Sequence, residues 1–210
     1  MPKNTPDLIR KRLIELRSQI PVAQRQRGSL LIRGRLFTWL GLSSDRAQTK
    51  GFNRPLVVAA FWALDGEPEL EPLLAQWDEA GVVVTLPVMV QKDAPMEFHR
   101  WTVETPMTEA KFGVMEPPKQ QALIPDVILV QTLGFTEFAD RIGYGKGFYD
   151  RTLHALRSKG IDPVTIGISW DEGAIEPEFP EYQAKDHDEQ LDTILTPTGW
   201  TPREIQAFDK

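Results

Sequence analysis

The sequence contains no cysteine among its 210 residues, which excludes disulfides and thiolate chemistry. It also lacks an uncharged apolar run of membrane-spanning length, and its charged first twenty residues have no apolar core of the signal-peptide type. An excess of positive charge is absent too, since the formal net charge is −6, and this argues against a general binder of nucleic acid or anionic membranes. We therefore expect a cytoplasmic protein.

What the sequence does contain is enough apolar residues, 41% of the total, for one sizeable core. We see no internal repeat, low-complexity segment or clear linker, so we expect a single domain over residues 1–210. At the start, Thr5 and Pro6 predict the cap and first residue of an amphipathic helix. A second helix is predicted to begin at Pro21 and to end near Gly41.

The middle of the chain alternates strand and helix patterns. The apolar run 56–62 predicts a strand covered on both faces, Pro68 is predicted to begin a helix that Gly81 closes, and strand 82–86 is predicted to stop at Pro87. Such a strand–helix–strand unit implies a parallel crossover. Residues 97–103 alternate polar and apolar and predict an edge or antiparallel strand.

Further strands are predicted at 126–130, 164–168 and 191–195, with a helix at 148–158 and an acidic loop at 175–185. This order predicts an α/β fold, with three α/β/α layers, a mainly parallel Rossmann-like sheet and two N-terminal helices. Ligands of such folds bind beyond the carboxyl ends of the strands. Glu67 and the glycine-rich segment described next both follow predicted strands, so we expect them on one rim.

The stretch from Arg141 to Arg151 is the most informative part of the sequence. Glycines at 143, 145 and 147 alternate, Lys146 lies between two of them, and a helix pattern follows. Glycines let backbone N–H groups turn inward, and a helix N-terminus adds further N–H groups and the positive end of its dipole. Residues 141–160 also carry five Lys/Arg against one acid. The pattern favours a phosphate-binding loop over its alternative, a tight turn with solvated charges.

Two familiar nucleotide-binding motifs do not fit this loop. A Walker loop requires Ser or Thr after Gly-Lys, whereas Gly147 follows Lys146 here. The dinucleotide motif requires a wider spacing between its second and third glycines.

Acidic residues offer a candidate metal site. Asp150, in the first turn after the loop, either caps the helix or holds Mg²⁺ against a bound triphosphate. A second acidic cluster, either a solvated loop or a metal site, consists of Asp186, His187, Asp188 and Asp192. The three histidines show no zinc-ligand spacing, and we find no nucleophile constellation.

In the glycine loop the chain resembles the 5-formyltetrahydrofolate cyclo-ligase (methenyltetrahydrofolate synthetase) family. Its Arg-Leu-Gly-x-Gly-x-Gly-[Tyr/Phe]-Tyr-Asp motif is similar to residues 141–150, and its upstream Gly-[Leu/Ala]-x-Phe-Asp segment resembles the region of residues 133–135. The resemblance implies that ATP phosphorylates the formyl oxygen of 5-formyltetrahydrofolate and that N10 then attacks the activated carbon. The products are 5,10-methenyltetrahydrofolate, ADP and phosphate.

The same resemblance implies roles for individual residues. Lys146 and Arg141 are the implied catalytic residues because they neutralise the phosphates. The implied ATP-binding residues are Arg10, Arg141, Gly143, Tyr144, Gly145, Lys146, Gly147, Phe148 and Tyr149. The implied folate-binding residues are Trp62, Glu67, Tyr144 and Phe148, with Met96 and Phe98 as further candidates. Asp150 and Asp188 are the implied Mg²⁺ ligands, and the family also has an Asp at the position of Asp192.

The chain departs from the family pattern at four places. Pro6 stands where many members have an ATP-contacting lysine, and Thr136 replaces an Asp. The pair 131–132 is Gln-Thr in place of Pro-Gly, and Ala139 replaces a turn glycine.

The departures keep a second hypothesis open: a catalytically weakened paralogue that binds nucleotide or folate for storage or regulation. A third is a sugar-phosphate enzyme that uses the same loop for a monophosphate. In the leading hypothesis the partners are ATP and a reduced folate, without nucleic acid or membrane, and the protein is a monomer.

Overall fold

The computed structural model describes residues 6–110, 113–185 and 187–205. The helices of this part of the chain are α1 (Pro6–Ser18), α2 (Val22–Thr49), α3 (Glu71–Glu79) and α4 (Phe148–Arg157). Its first strands are β1 (Val57–Ala59), β2 (Val83–Val88), β3 (Glu97–Arg100), β4 (Thr108–Glu109), β5 (Met115–Glu116) and β6 (Val127–Gln131). The others are β7 (Gly134–Phe135), β8 (Arg141–Ile142), β9 (Val164–Ile168), β10 (Thr193–Leu195) and β11 (Trp200–Thr201).

A 7-stranded sheet in the order β11-β10-β9-β6-β1-β2-β3 forms the centre of the fold. Neighbours from β10 to β2 pair in parallel, and the two edge strands β3 and β11 pair antiparallel. This confirms the predicted mainly parallel sheet, including the antiparallel strand near residue 97. Both faces are largely apolar because the central strands consist mostly of buried Val, Ile and Leu.

Helices cover the two faces of this sheet. Alternate strand residues, such as Val58 and Leu129, pack with α2 and α3 in one core cluster, and the intervening Ala59 and Ile128 pack with α4 in another. The fold is therefore the predicted α/β/α arrangement. A third cluster joins Ile9 and other apolar residues of α1 to the β7–β8 hairpin.

Several predicted boundaries are wrong. Helix α2 does not end at Gly41 but continues to Thr49, because Ser43 and Ala47 are buried against the body of the protein. Strand β2 passes through Pro87, which lies beyond the last residue paired with β1, so its missing N–H breaks no bond to that strand. Helix α3 begins at Glu71 rather than Pro68, and the predicted cap Thr5 lies outside the described residues.

Candidate active site

The glycine loop lies between β8 and α4, at the carboxyl edge of the sheet. The sequence predicts a buried strand upstream of it, which is β6, and the β7–β8 hairpin lies between that strand and the loop. Gly145 has φ 81° and Gly147, the residue that precedes α4, has φ 66°. Both values belong to the left-handed region, where glycine avoids the steric cost of a Cβ. Among the described residues, the N–H groups of these two glycines donate to no protein acceptor.

Two arginine guanidinium groups lie close to the loop at positions occupied by glycine. A Cβ on Gly143 would lie 2.1 Å from Arg141 Nη1, and one on Gly145 would lie 3.0 Å from Cζ of Arg10. Arg10 Nε also donates to the carbonyl oxygen of Gly143 at 2.9 Å. The alternating glycines therefore bring two positive charges into contact with the loop backbone, which suits an anionic ligand.

A cavity of about 910 Å³ opens in front of the loop. This volume lies within the range of sites for drug-sized ligands. Its walls include the ends of two central strands, at Pro87 and Gln131, so it occupies the edge where ligands bind in open α/β sheets. The predicted site residues on its lining are Arg10, Arg141, Gly143, Tyr144, Gly145, Lys146, Gly147, Phe148, Tyr149, Asp150 and Asp188.

Two arginines of the cavity differ in how their charge is satisfied. Arg141 Nη2 donates to both carboxylate oxygens of Asp150, at 3.1 and 3.0 Å, and this ion pair is mostly buried. Arg151 lies over the ring of Phe148, and its Nε and Nη2 are buried without a hydrogen-bond partner among the described residues. Unsatisfied buried guanidinium nitrogens are costly, so the site is built to receive further acceptor atoms.

Glu67 does not line this cavity but lies behind Tyr144, which does. Its carboxylate accepts hydrogen bonds from the Tyr144 hydroxyl, from Gln131 Nε2 at 2.8 Å and from the N–H of Leu64 at 2.9 Å, and Arg17 Nη1 lies 3.8 Å away. The contact with Tyr144 puts Glu67 and the loop on one rim, as predicted. Burial, followed by the charge of Glu67, raises the pKa of Tyr144, so its hydroxyl stays protonated and donating.

Besides Glu67, two predicted folate contacts are absent from the cavity lining. Trp62 is not among the residues lining the cavity but packs against the core cluster of α2 and α3, with its ring 6.1 Å from that of Trp101. Phe98 is buried in the α4 cluster, and this corrects its placement as a cavity wall. Met96 does line the cavity. An apolar run in the sequence does not reveal which side chains turn toward a pocket, because core and pocket positions share the same residue types.

The predicted metal ligands Asp150 and Asp188 both line the cavity. Asp192 does not, since its carboxylate accepts from the N–H and hydroxyl of Thr165 at 2.7 and 2.8 Å. Asp186 lies outside the described residues. Within residues 6–110, 113–185 and 187–205, no group of three or more His, Cys, Asp or Glu is arranged to hold a metal. Two carboxylates beside a phosphate loop nevertheless fit Mg²⁺, which takes one or two carboxylates and completes its shell with phosphate oxygens and water.

The departures from the family pattern have local structural consequences. Gln131 lines the cavity and supplies one of the hydrogen bonds to Glu67. The Thr136 hydroxyl organises the β7–β8 turn, because it donates to Asp140 and accepts from the N–H groups of Phe138 and Asp140. In the same turn, Ala139 adopts φ 65°, a conformation that favours glycine.

Sequence reasoning assigned no role to three residues that shape this site: Arg17, Gln131 and Arg151. Arg17 reaches the Tyr144 hydroxyl from α1, more than a hundred residues away in the chain. No local pattern signals such a contact. Arg151 was visible as part of the basic stretch 141–160, and the charge excess of that stretch was its signal.

A basic glycine loop at a helix N-terminus, open to a large cavity at the carboxyl edge of a parallel sheet, defines an α/β phosphate-binding protein. The sequence model of the 5-formyltetrahydrofolate cyclo-ligase family matches residues 2–197. The chain belongs to this family, which confirms the resemblance carried by residues 141–150.

Individual relatives agree with this assignment. The chain is 30% identical over 199 residues to a 5-formyltetrahydrofolate cyclo-ligase of Mycolicibacterium smegmatis, covering 90% of this chain and 92% of the relative. It is 29% identical over 147 residues to that of Escherichia coli K12, covering 67% of this chain and 78% of the relative.

Solved structures share the fold. The 5,10-methenyltetrahydrofolate synthetase of Aquifex aeolicus superposes with a TM-score of 0.70 at 20% identity, covering 98% of this chain and 96% of the other. The enzyme of Mycoplasma pneumoniae superposes with a TM-score of 0.67 at 18% identity, covering 92% and 99% of the two chains.

Proposed function

We propose that this protein catalyses the ATP-dependent closure of 5-formyltetrahydrofolate to 5,10-methenyltetrahydrofolate. The formyl oxygen takes the terminal phosphoryl group of ATP, N10 attacks the activated carbon, and the oxygen leaves as part of phosphate. The observation that carries the proposal is the glycine loop with Arg10, Arg141 and Lys146 on one cavity wall, in a chain of the cyclo-ligase family.

Positioning and charge neutralisation are the main demands of this reaction. Lys146 and Arg141 neutralise the phosphates, and Arg10 extends the positive surface along the loop. The N–H groups of Gly143, Gly145 and Gly147, with those of the first turn of α4 at Phe148 and Tyr149, supply neutral donors.

Mg²⁺ completes the proposal, because it supplies charge neutralisation on the phosphate oxygens when it is bound. Asp150 and Asp188 would hold it. Asp150 already accepts from Arg141, at 3.1 and 3.0 Å. We propose that Arg141 keeps the Asp150 carboxylate oriented, so that it would be ready to hold the ion.

The folate is proposed to lie between the loop and Glu67, against Tyr144, Phe148 and Met96. A carboxylate that accepts paired N–H donors suits the polar edge of a pterin. The Glu67 side chain is only 4% exposed and already accepts from Tyr144 and Gln131. Pterin binding at Glu67 therefore requires Tyr144 to give up its hydrogen bond. Trp62 packs against a different core cluster from Tyr144 and Met96, so we propose no folate contact for it.

The assay that tests the proposal follows methenyl-folate absorbance with ATP, Mg²⁺ and 5-formyltetrahydrofolate added singly and together. Product is expected only with all three. Lys146→Ala and Asp150→Asn are expected to lose ATP-dependent thermal stabilisation while remaining folded. Lys159→Ala, which removes an exposed lysine beyond α4, is the matched control and should behave as wild type.

Two outcomes would overturn the proposal. The first is the absence of product from folded, metal-replete protein, and ligand binding in that sample would select a binding protein without turnover. The second is normal ATP affinity in both site variants, which would remove the loop from the ATP site.

The remaining parts of the proposal concern setting and partners. We propose a cytoplasmic enzyme with small-molecule partners and no nucleic-acid partner, which agrees with its net charge of −6 and its lack of cysteine. No helix in the described residues is long and apolar enough to cross a bilayer.

A further inference from the structure

Two glycines in the middle of α2 have no explanation within one copy of the chain. A Cβ on Gly34 or Gly41 would meet nothing within 4 Å among the described residues. Gly28 of the same helix differs, because a Cβ there would lie 2.6 Å from the ring of Trp170. Glycine is the poorest helix former after proline. Gly28 is thus required by close packing within the chain, whereas Gly34 and Gly41 face open space.

Large apolar side chains alternate with these two glycines. Leu30 is 62% exposed and Phe37 is 52% exposed. The positions 30, 34, 37 and 41 are separated by four, three and four residues, so they form one stripe along the outer face of α2. This large–small–large–small stripe has knobs and recesses of the kind that pack two helices together.

The stripe is complementary to itself. In an antiparallel pair of identical helices related by a two-fold axis, residues equidistant from one midpoint face each other. Along the helix, the midpoint between Leu30 and Gly41 is the same as the midpoint between Gly34 and Phe37. Each large side chain of one copy therefore meets a glycine of the other copy, at all four positions.

Charges flanking the stripe obey the same symmetry. The exposed residues Arg27 and Asp45 lie on the same side of the stripe, at nearly the same distance from its midpoint. In the antiparallel pair, Arg27 of each copy comes beside Asp45 of the other copy and forms two symmetric ion pairs. On the opposite flank the corresponding residues, Gln26 and Ser44, are uncharged.

We propose that the protein forms a two-fold homodimer through the stripe Leu30, Gly34, Phe37 and Gly41 of α2, with Arg27–Asp45 ion pairs at its flank. This replaces the sequence-based expectation of a monomer. None of these six residues lines the 910 Å³ cavity, so the proposal is independent of the proposed function and leaves both active sites open to solvent.

Sedimentation equilibrium of the full chain over a wide range of concentrations tests the interface. The wild-type protein should dimerise, and Phe37→Glu should raise the dimer dissociation constant by about tenfold or more, because it puts a charge against Gly34. The matched control is Leu42→Glu. Leu42 is 49% exposed but lies about 140° from Phe37 around the helix, off the stripe, so this variant should dimerise as wild type.

A charge exchange gives a second, sharper test. Arg27→Asp and Asp45→Arg should each weaken dimerisation by about fivefold, since each places like charges together, and the double variant should restore it. Methenyl-folate formation per chain should be unchanged in Phe37→Glu, which shows that the fold is intact. A wild type that stays monomeric, a Leu42→Glu variant as disrupted as Phe37→Glu, or a double variant weaker than both single variants would overturn the proposal.

Discussion

Arg151 is the residue whose environment most clearly indicates a bound ligand. Its Nη1 lies 2.8 Å from the position of a Cβ on Gly147, so it lies against the loop at the start of α4, and its other nitrogens have no acceptor among the described residues. We expect Arg151→Gln to raise the KM for ATP by about tenfold, because a hydrogen bond to a charged group is worth about 1.5–3 kcal/mol. Initial rates at varied ATP measure this.

The control for Arg151 is Lys159→Gln, which removes the same charge beyond the other end of α4. It should leave the KM for ATP unchanged, because Lys159 is exposed and absent from the cavity lining. Equal effects of the two variants would mean that general charge, rather than a specific contact, governs ATP binding.

Gly145 offers a way to separate backbone strain from contact with Arg10. Gly145→Ala and Gly51→Ala both place a side chain at positive φ, 81° and 86°, and each should cost about 1–2 kcal/mol of unfolding free energy. Only Gly145 has a guanidinium, that of Arg10, 3.0 Å from the new Cβ, whereas Gly51 faces open space within the described chain.

We therefore expect similar losses of stability, measured by chemical denaturation, but a loss of activity in Gly145→Ala alone. If Gly145→Ala and Gly51→Ala have the same turnover and the same KM for ATP, then contact between Arg10 and the loop is not required for activity.

The residues that sequence reasoning found and missed differ in how their contacts arise. The glycines, Lys146 and Asp150 belong to one local segment, and the spacing of its glycines is enough to predict its conformation. Arg17 and Gln131 take part only because α1 and β6 bring them to Glu67 and Tyr144. Trp62 shows the reverse case, since its place in the sequence suggests the pocket, whereas tertiary packing sets it against the core cluster of α2 and α3.

At the scale of whole elements, buried strands were the most predictable feature. Strand β9 has the predicted bounds 164–168, and all five of its residues are buried, as expected of a strand covered on both faces. Single glycine and proline residues were less dependable as predictors of where an element ends. The sequence predicts that elements end at Gly41 and Pro87, but both residues lie inside elements whose neighbouring residues are held by burial or pairing.

Helix α1 is the element that carries Arg10 and Arg17 to the site, and it is held by few buried residues. Ile9 and Leu13 are its buried side chains, in the cluster with the β7–β8 hairpin. We expect Leu13→Ala to lower the unfolding free energy by about 3 kcal/mol, from lost burial and a residual cavity. It should also raise the KM for ATP, because Arg10 and Leu13 move with the same helix.

The comparison for Leu13→Ala is Leu8→Ala on the same helix. Leu8 is 45% exposed, so its truncation should change stability by less than about 0.5 kcal/mol and leave the KM for ATP unchanged. Thermal denaturation and initial-rate kinetics on the two variants decide the point. If Leu13→Ala loses stability but keeps the wild-type KM, then Arg10 is positioned by the loop rather than by α1.

At the scale of the whole molecule, the site depends on three bodies that meet at one edge of the sheet. The sheet ends supply Pro87 and Gln131, the loop with α4 supplies the phosphate contacts, and α1 supplies arginines from the other side. The order of elements predicted the sheet and the edge. It could not predict that α1 packs over the loop, because this contact depends on residues that are far apart in the sequence.

The same packing gives the folded protein a distinctive response to alkali. Its three tyrosines, Tyr144, Tyr149 and Tyr182, all have pKa values raised above the usual value, with burial as the main cause. In the unfolded chain they ionise near pH 10. Above that pH the unfolded state binds fewer protons than the folded state, so the unfolding free energy must fall as pH rises, whereas below it their contribution is fully present.

Each tyrosine that stays protonated in the folded state should contribute a slope of about 1.4 kcal/mol per pH unit above pH 10. Tyr149→Phe should make the alkaline loss of stability shallower by about one such slope, because Tyr149 is buried and phenylalanine cannot ionise. Denaturation at a series of alkaline pH values, with tyrosinate absorbance followed in parallel, tests this. An unchanged slope in Tyr149→Phe, or ionisation of all three tyrosines near pH 10 in the folded protein, would show that burial does not raise their pKa values as expected.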